Sequence, residues 1–214
     1  LAGLLATALW TWQGARPRQG TSDERPLEGL KVFGTVPDFA LIERSGKRIV
    51  LGDLLEKVWA ANFIYTHCPD TCPLQSAQMA RLQKELAAER DVRLVSISVD
   101  PERDTPAVLS EYAERFGAEP DRWLFLTGEK KAIHRLAQEG FRLSVVDPEE
   151  GVRSELFGPA RAIAHHGQVG KTFIHSSRFV LVDRQARIRG YYQFNDVEAM
   201  RGLVSDVKTL LREQ

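Results

Sequence analysis

The sequence predicts an α/β domain with a central mixed sheet flanked by helices, and three observations carry that reading. Residues 58–65 (VWAANFIY) form an unbroken apolar run, as expected of a strand covered on both faces. Runs of this kind alternate with stretches of helical spacing, which puts helical crossovers between parallel strands at the centre of the sheet. Two pairs of short apolar runs are separated by turn residues and read as hairpins.

The first hairpin lies near the amino terminus, with residues 39–42 and 48–51 around the turn Arg44-Ser45-Gly46-Lys47. After the strand at 58–65 comes a helix at 73–89, with apolar positions Leu74, Ala77, Leu82 and Leu86 and a proline in its first turn, where no intrahelical bond is lost. A strand follows at 92–99. Asp104-Thr105-Pro106 then offers a cap and an early proline for a helix carrying Val108, Leu109, Tyr112 and Phe116. A short strand at 123–126 and a helix at 129–138 lead to residues 147–171, whose prolines and glycines read as a long surface insertion. The second hairpin joins 172–182 to 187–192 through Asp183-Arg184-Gln185-Ala186, and an amphipathic helix at 197–211 closes the chain. The expected order is β-β-β-α-β-α-β-α-β-β-α.

The 214 residues suffice for one domain with a real core. Lys plus Arg and Asp plus Glu number 29 each, so the chain lacks the excess cationic field that phosphate backbones reward, and no nucleic-acid partner is expected. Residues 1–12 (LAGLLATALWTW) are uncharged but shorter than the roughly 20 apolar residues of a spanning helix. They read as a truncated membrane anchor, or as a signal segment with Ala6-Thr7-Ala8 at its cleavage site; either one exports the domain. Residues 13–30 have a linker composition, which leaves 31–214 as the folded domain.

Both cysteines fall in one motif, Cys68-Pro69-Asp70-Thr71-Cys72, where the buried strand feeds a helix. Four residues along a helix bring two side chains to one face, so these thiols can bond each other or share a ligand. Unpaired N–H groups at the helix start favour thiolate, the form that attacks disulfides and binds metals. An inert disulfide closing so small a loop would add little stability. Thiolates select Cu(I), zinc and iron–sulfur clusters; two cysteines exclude a cluster within one chain, a structural zinc wants four protein ligands, and Cu(I) is satisfied with three.

Five histidines compete for the third place. His67 adjoins the motif but on an extended chain points away from Cys68. His134 lies mid-helix, and His165 and His166 sit in the insertion. His175 stands where the insertion enters the second hairpin, a position from which its ring could reach the end of the first central strand.

Three segments together resemble a known family: Phe63-Ile64-Tyr65-Thr66-His67-Cys68-Pro69-Asp70-Thr71-Cys72-Pro73, then Ser96-Ile97-Ser98-Val99-Asp100-Pro101-Glu102-Arg103-Asp104-Thr105-Pro106, then His175-Ser176-Ser177 before a Val-Leu-Val-Asp strand. The resemblance is to SCO/SenC proteins, thioredoxin-like copper chaperones for cytochrome c oxidase assembly, and runs from about Pro37 to the carboxyl terminus. It implies a thioredoxin-like fold with an added N-terminal hairpin, and a copper ion held by Cys68, Cys72 and His175. It also implies a membrane-tethered domain outside the cytoplasm, the periplasmic face of a bacterial inner membrane before a mitochondrial one. There it would deliver copper to, or reduce, the cysteines of the copper centre in oxidase subunit II. The 147–171 insertion departs from the family pattern in length and in its glycine and histidine content.

The Asp100-to-Pro106 segment reads as architecture, with Asp104 capping a helix and Asp100 or Asp104 at most shaping the site from behind; Asp70 complements the helix start. The competing function is a thiol-disulfide oxidoreductase using Cys68 and Cys72 as its redox pair without metal. Its motif has one intervening residue more than the CxxC of thioredoxin-type enzymes, and it would leave His175 without a role. A thiol peroxidase would need a peroxide-binding arrangement that the sequence does not display.

Overall fold

The computed structural model describes residues 30–143, 145–146, 174–175 and 177–213, with the backbone alone at 145–146 and 174–175. The expected anchor, residues 13–29 of the linker, the 147–171 insertion and His165 and His166 lie outside the described residues. No helix among the described residues is long and apolar enough to cross a membrane.

Strand β4 (Val58–Ile64) sets the architecture, because all seven of its residues are buried and it has no polar face to turn to water. It pairs in parallel with β5 (Val92–Ser98), in register from Val58↔Val92 to Ile64↔Ser98, and β5 pairs in parallel with β6 (Trp123–Thr127). Helices α1 (Thr71–Glu85) and α2 (Pro106–Arg115) supply the two crossovers. On the other flank β9 (Arg178–Val182) runs antiparallel to β4, and β10 (Arg187–Gln193) antiparallel to β9. The short β1 (Gly34–Thr35) adds to β10, while the hairpin β2 (Ala40–Glu43) and β3 (Arg48–Val50) adds to β6. The eight-stranded order is β1-β10-β9-β4-β5-β6-β2-β3. In the β2–β3 turn Gly46 takes φ +85°, a conformation that costs glycine little.

The two faces of β4 are closed differently. Trp59 and Phe63 meet Phe141 edge-on, with ring centroids 5.9 and 5.4 Å away. Phe141 follows α3 (Lys130–Arg135) and a π turn at Leu136–Gly140, which together replace the continuous helix expected at 129–138. Toward α1 runs a buried polar line: Trp123 Nε1 donates to Ser96 Oγ (3.0 Å), Ser96 Oγ to Asn62 Oδ1 (2.7 Å) and Asn62 Nδ2 to Gln75 Oε1 (3.3 Å). It ties β6, β5 and β4 to the helix that carries Cys72, and any of these groups left unpaired would cost about 1–3 kcal/mol.

Helix α1 therefore buries only half of the apolar stripe expected, Leu82 and Leu86 but not Leu74 and Ala77, and adds polar positions to it. Its buried residues are Cys72, Gln75, Ser76, Met79, Leu82 and Gln83, whereas Leu74 is 56% exposed and Ala77 is exposed. Most of these polar groups are matched: Ser76 Oγ lies 3.0 Å from Tyr112 Oη, Gln83 Nε2 donates to the Gly117 carbonyl, and Gln75 accepts from Asn62 through Oε1, its Nε2 making no hydrogen bond with the described residues. The strand expected over 172–182 is also divided. Ile174–His175 forms β8, paired with β7 (Val145–Val146) in a separate two-stranded ladder, and the main-sheet strand begins only at Arg178.

The second hairpin and α4 (Val197–Arg212) are locked by a buried ion cluster. Arg189 Nη1 lies 2.7 Å from Asp183 Oδ2 and 2.9 Å from Glu213 Oε2, and its Nη2 donates to the Leu30 carbonyl at 2.7 Å. Burial opposes ionisation of Asp183, but Arg189, Arg187 and the turn N–H groups outweigh it and hold the carboxyl below its ordinary value. Arg189→Ala is expected to cost about 3 kcal/mol by urea denaturation at pH 7. Because the folded-state pKa is depressed, this contribution is present above about pH 4 and fades as pH falls through the lowered value, so the wild-type and variant curves converge in acid.

Candidate metal centre

The chain turns sharply out of the end of β4, and every chemically active group described here sits within that turn or against it. Tyr65, Thr66 and His67 lead to Cys68; Asp70 stands at the start of α1 and Cys72 in its first turn. Cys68 is 7% exposed and Cys72 fully buried, and neither is in a disulfide. The Cys72 N–H points at Cys68 Sγ (N···S 3.4 Å), and Thr71 Oγ1 lies 3.9 Å from the same sulfur. The helix start thus serves Cys68, as the CxxxC spacing predicts. Asp70 makes no capping side-chain bond there.

The two thiols are chemically unequal. Burial pushes the Cys68 thiol up, yet the N–H groups of Cys72 and Asp70 and the Tyr65 hydroxyl stabilise its thiolate more, and it settles at about 7. Cys72 is raised, first by deeper burial and then by the adjacent Cys68 sulfur. Tyr65 is also raised by burial and by its bond to Cys68, so at neutral pH its hydroxyl remains a donor.

Asp104 is the residue that sequence reasoning misplaced. It does not cap α2; Thr105 does, accepting from Val108 N at 3.4 Å. The Asp104 carboxylate is wholly buried and reaches across to the cysteine turn. Its Oδ1 accepts from Thr66 Oγ1 (2.6 Å), and its Oδ2 from Thr66 N (3.1 Å) and Ser98 Oγ (2.5 Å). Asp100, beside it and 4% exposed, is raised by burial and by the neighbouring Asp104 charge. The signal was present in the sequence: a carboxylate directly before a Thr-Pro cap is redundant as a cap.

The other expected histidines are placed as follows. His67 is 60% exposed with Nδ1 3.1 Å from Thr66 Oγ1, and the half-buried His134 sets Nε2 3.2 Å from the Val99 carbonyl. For His175 the backbone is described: it pairs with Val145, three residues before β9 begins. Among the described side chains no three metal-binding groups converge.

The model of the SCO1/SenC family matches residues 30–212. This chain belongs to the SCO1/SenC family. The SCO1 protein homolog of Bacillus subtilis (strain 168) is 35% identical to it over 176 residues, 81% of each chain. Among solved structures, BsSco, described as a Sco-family cytochrome c oxidase assembly protein with a disulfide switch, superposes with a TM-score of 0.68 at 31% identity, covering 86% of this chain and 98% of that one. Arabidopsis thaliana ScoI with copper bound gives a TM-score of 0.63 at 26% identity, covering 82% and 99%. This SCO1/SenC chain accordingly has the thioredoxin-like fold of its Sco neighbours, with the β2–β3 hairpin added at its edge.

Two predictions test the site. In the reduced protein a small alkylating reagent should modify Cys68 in preference to Cys72, with a rate that falls below an apparent pKa of about 7 and levels off above it; equal labelling would contradict the assigned inequality. Asp104→Asn, which keeps the shape and removes the charged acceptor, should lower stability by about 2 kcal/mol in urea and leave the far-ultraviolet circular dichroism native.

Proposed function

We propose that this SCO1/SenC protein carries copper for cytochrome c oxidase assembly, holding the ion with Cys68, Cys72 and His175. The observation that carries the reading is the cysteine pair itself: two unbridged thiols in one turn, one of them already near its ionisation point at neutral pH. A soft monovalent ion suits that donor set, since thiolates favour Cu(I) and a third ligand completes its shell. His175 is supported by register. Strand β9 pairs antiparallel with β4 through Trp59↔Val182, Ala60↔Leu181 and Ala61↔Val180, so the segment leading into β9 approaches the end of β4 from which Cys68 emerges.

Copper binding requires both thiols to lose their protons, and the raised Cys72 is the harder to ionise. The acceptor in this reading is the copper centre of oxidase subunit II. The amino-terminal apolar segment would tether the domain to a membrane on its extracytoplasmic side, most simply the periplasmic face of a bacterial inner membrane. A second reading is favoured by the same lowered Cys68: a thiol-disulfide oxidoreductase that reduces the target cysteines through the Cys68–Cys72 pair and carries no metal. Thiolates that hold Cu(I) are also the ones that exchange disulfides.

Anaerobic Cu(I) titration of the reduced protein separates the two. One equivalent should bind, with affinity rising as pH increases, and Cys68→Ser, Cys72→Ser or His175→Ala should each weaken binding by about 10-fold or more. A His175→Ala protein that binds copper like wild type would refute the ligand set. No copper binding, with peptide-disulfide reduction intact, would establish the reductase.

A further inference from the structure

The β9–β10 flank of the sheet carries two exposed arginines, Arg178 at the start of β9 and Arg142 just after Phe141. Tyr191 of β10 stands directly opposite Val180 of β9, and Gln193 opposite Arg178, so Arg178 projects from the sheet face that Tyr191 occupies, one diagonal step away. This is also the face of Trp59 and Phe63, since β9 and β4 align Val180 with Ala61. Phe141 closes that face, and its carbonyl accepts from Tyr191 Oη at 3.1 Å. Arg142 takes φ +53°, a left-handed conformation uncommon outside glycine, and its guanidinium lies against β1, where a Cβ added at Gly34 would stand 3.8 Å from Nη2. Phe33, 44% exposed, meets the half-buried Tyr191 edge-on with ring centroids 5.6 Å apart.

Among the described residues neither guanidinium makes a hydrogen bond or an ion pair. Burial raises the Tyr191 hydroxyl, whereas Arg142 and Arg178 pull it the other way, which marks both cations as neighbours of that ring. Unpaired arginines flanking partly open aromatic rings have the composition of the residues that dominate protein interfaces. We infer that Arg142, Arg178, Tyr191 and Phe33 form the docking surface for a carboxylate-bearing face of the protein with which this domain exchanges copper. Arginine forks hold carboxylates in pairs of parallel bonds, and the two rings give an apolar partner side chain a seat between them. The position fits the task. Strands β1, β10, β9 and β4 are successive neighbours, so β1 lies about 14 Å from the strand that ends at the cysteine turn. Arg178 comes three residues after His175. A standard interface of about 800 Å² per partner is about 30 Å across, enough to cover turn and patch together. The inference rests on the carrier reading above for the identity of the partner, and on the arginines for its charge.

The probe is the soluble copper-centre domain of oxidase subunit II, titrated by calorimetry into the reduced protein with no metal present. Binding should weaken about tenfold or more in Arg142→Gln/Arg178→Gln, and in the wild type it should weaken as salt rises from about 20 to about 200 mM. Arg178→Gln alone, which leaves the Arg142 turn untouched, should give a smaller loss of the same kind, and Phe33→Ala a loss without the change in salt dependence. The double variant should keep the circular dichroism and Cu(I) affinity of the wild type. Unaltered affinity in the double variant, or no binding by the wild type, overturns the proposal. So does arginine-dependent attachment to vesicles of anionic phospholipid in place of the protein domain, which would give the patch to a lipid surface. Failure of the carrier reading is separate: a wild-type protein that docks through the arginines and takes up no copper keeps the surface and loses the cargo.

Discussion

One buried negative charge organises the end of the sheet where the chemistry is placed. Asp104 enters from the turn after β5 and is satisfied by three donors, two from Thr66 beyond β4 and one from Ser98 at the end of β5. An ion of this kind is expensive to bury, and its surroundings must hold their geometry or leave it uncompensated. The parallel pairing of β4 and β5, in register to Ile64↔Ser98, is what brings those donors together, and the carboxylate in turn fixes the path of the chain from Thr66 into the cysteine turn.

From that fixed path follows the inequality of the thiols. Cys68 sits where the first N–H groups of α1 converge, and Cys72 sits one turn deeper, on the face of α1 that packs against the core. The same helix start that stabilises a thiolate on one sulfur denies it to the other by burial. Such a pair is poised to react at Cys68 and to close or open through Cys72, which suits metal capture and disulfide exchange equally well. Copper is the ion named in the solved structure of the Sco relative from Arabidopsis thaliana, ScoI with copper bound.

Much of this was legible because the signals were local. The β4 run, the CxxxC spacing at a strand-to-helix junction, the Gly46 turn and the periodicity of α4 all follow from near neighbours in the chain. The misreadings share a cause as well. Leu74 looked like core and Gln75, Ser76 and Gln83 did not, because the partners that make those polar groups acceptable inside, Asn62, Tyr112 and Gly117, come from other elements. Asp104 passed for a cap for the same reason: its partners lie 38 residues back at Thr66, and 6 back at Ser98. The strand expected at 172–182 was divided by a pairing with Val145–Val146 that no local pattern announces.

By itself, then, the amino-acid sequence determined the fold class, the family and the pair of thiols, since hydrophobic period, turn chemistry and motif spacing are properties of short segments. Only the tertiary structure decided which thiol is the acidic one and which carboxylate stands behind the turn. Those are consequences of burial and of hydrogen bonds between distant segments, and both come into being when the chain packs.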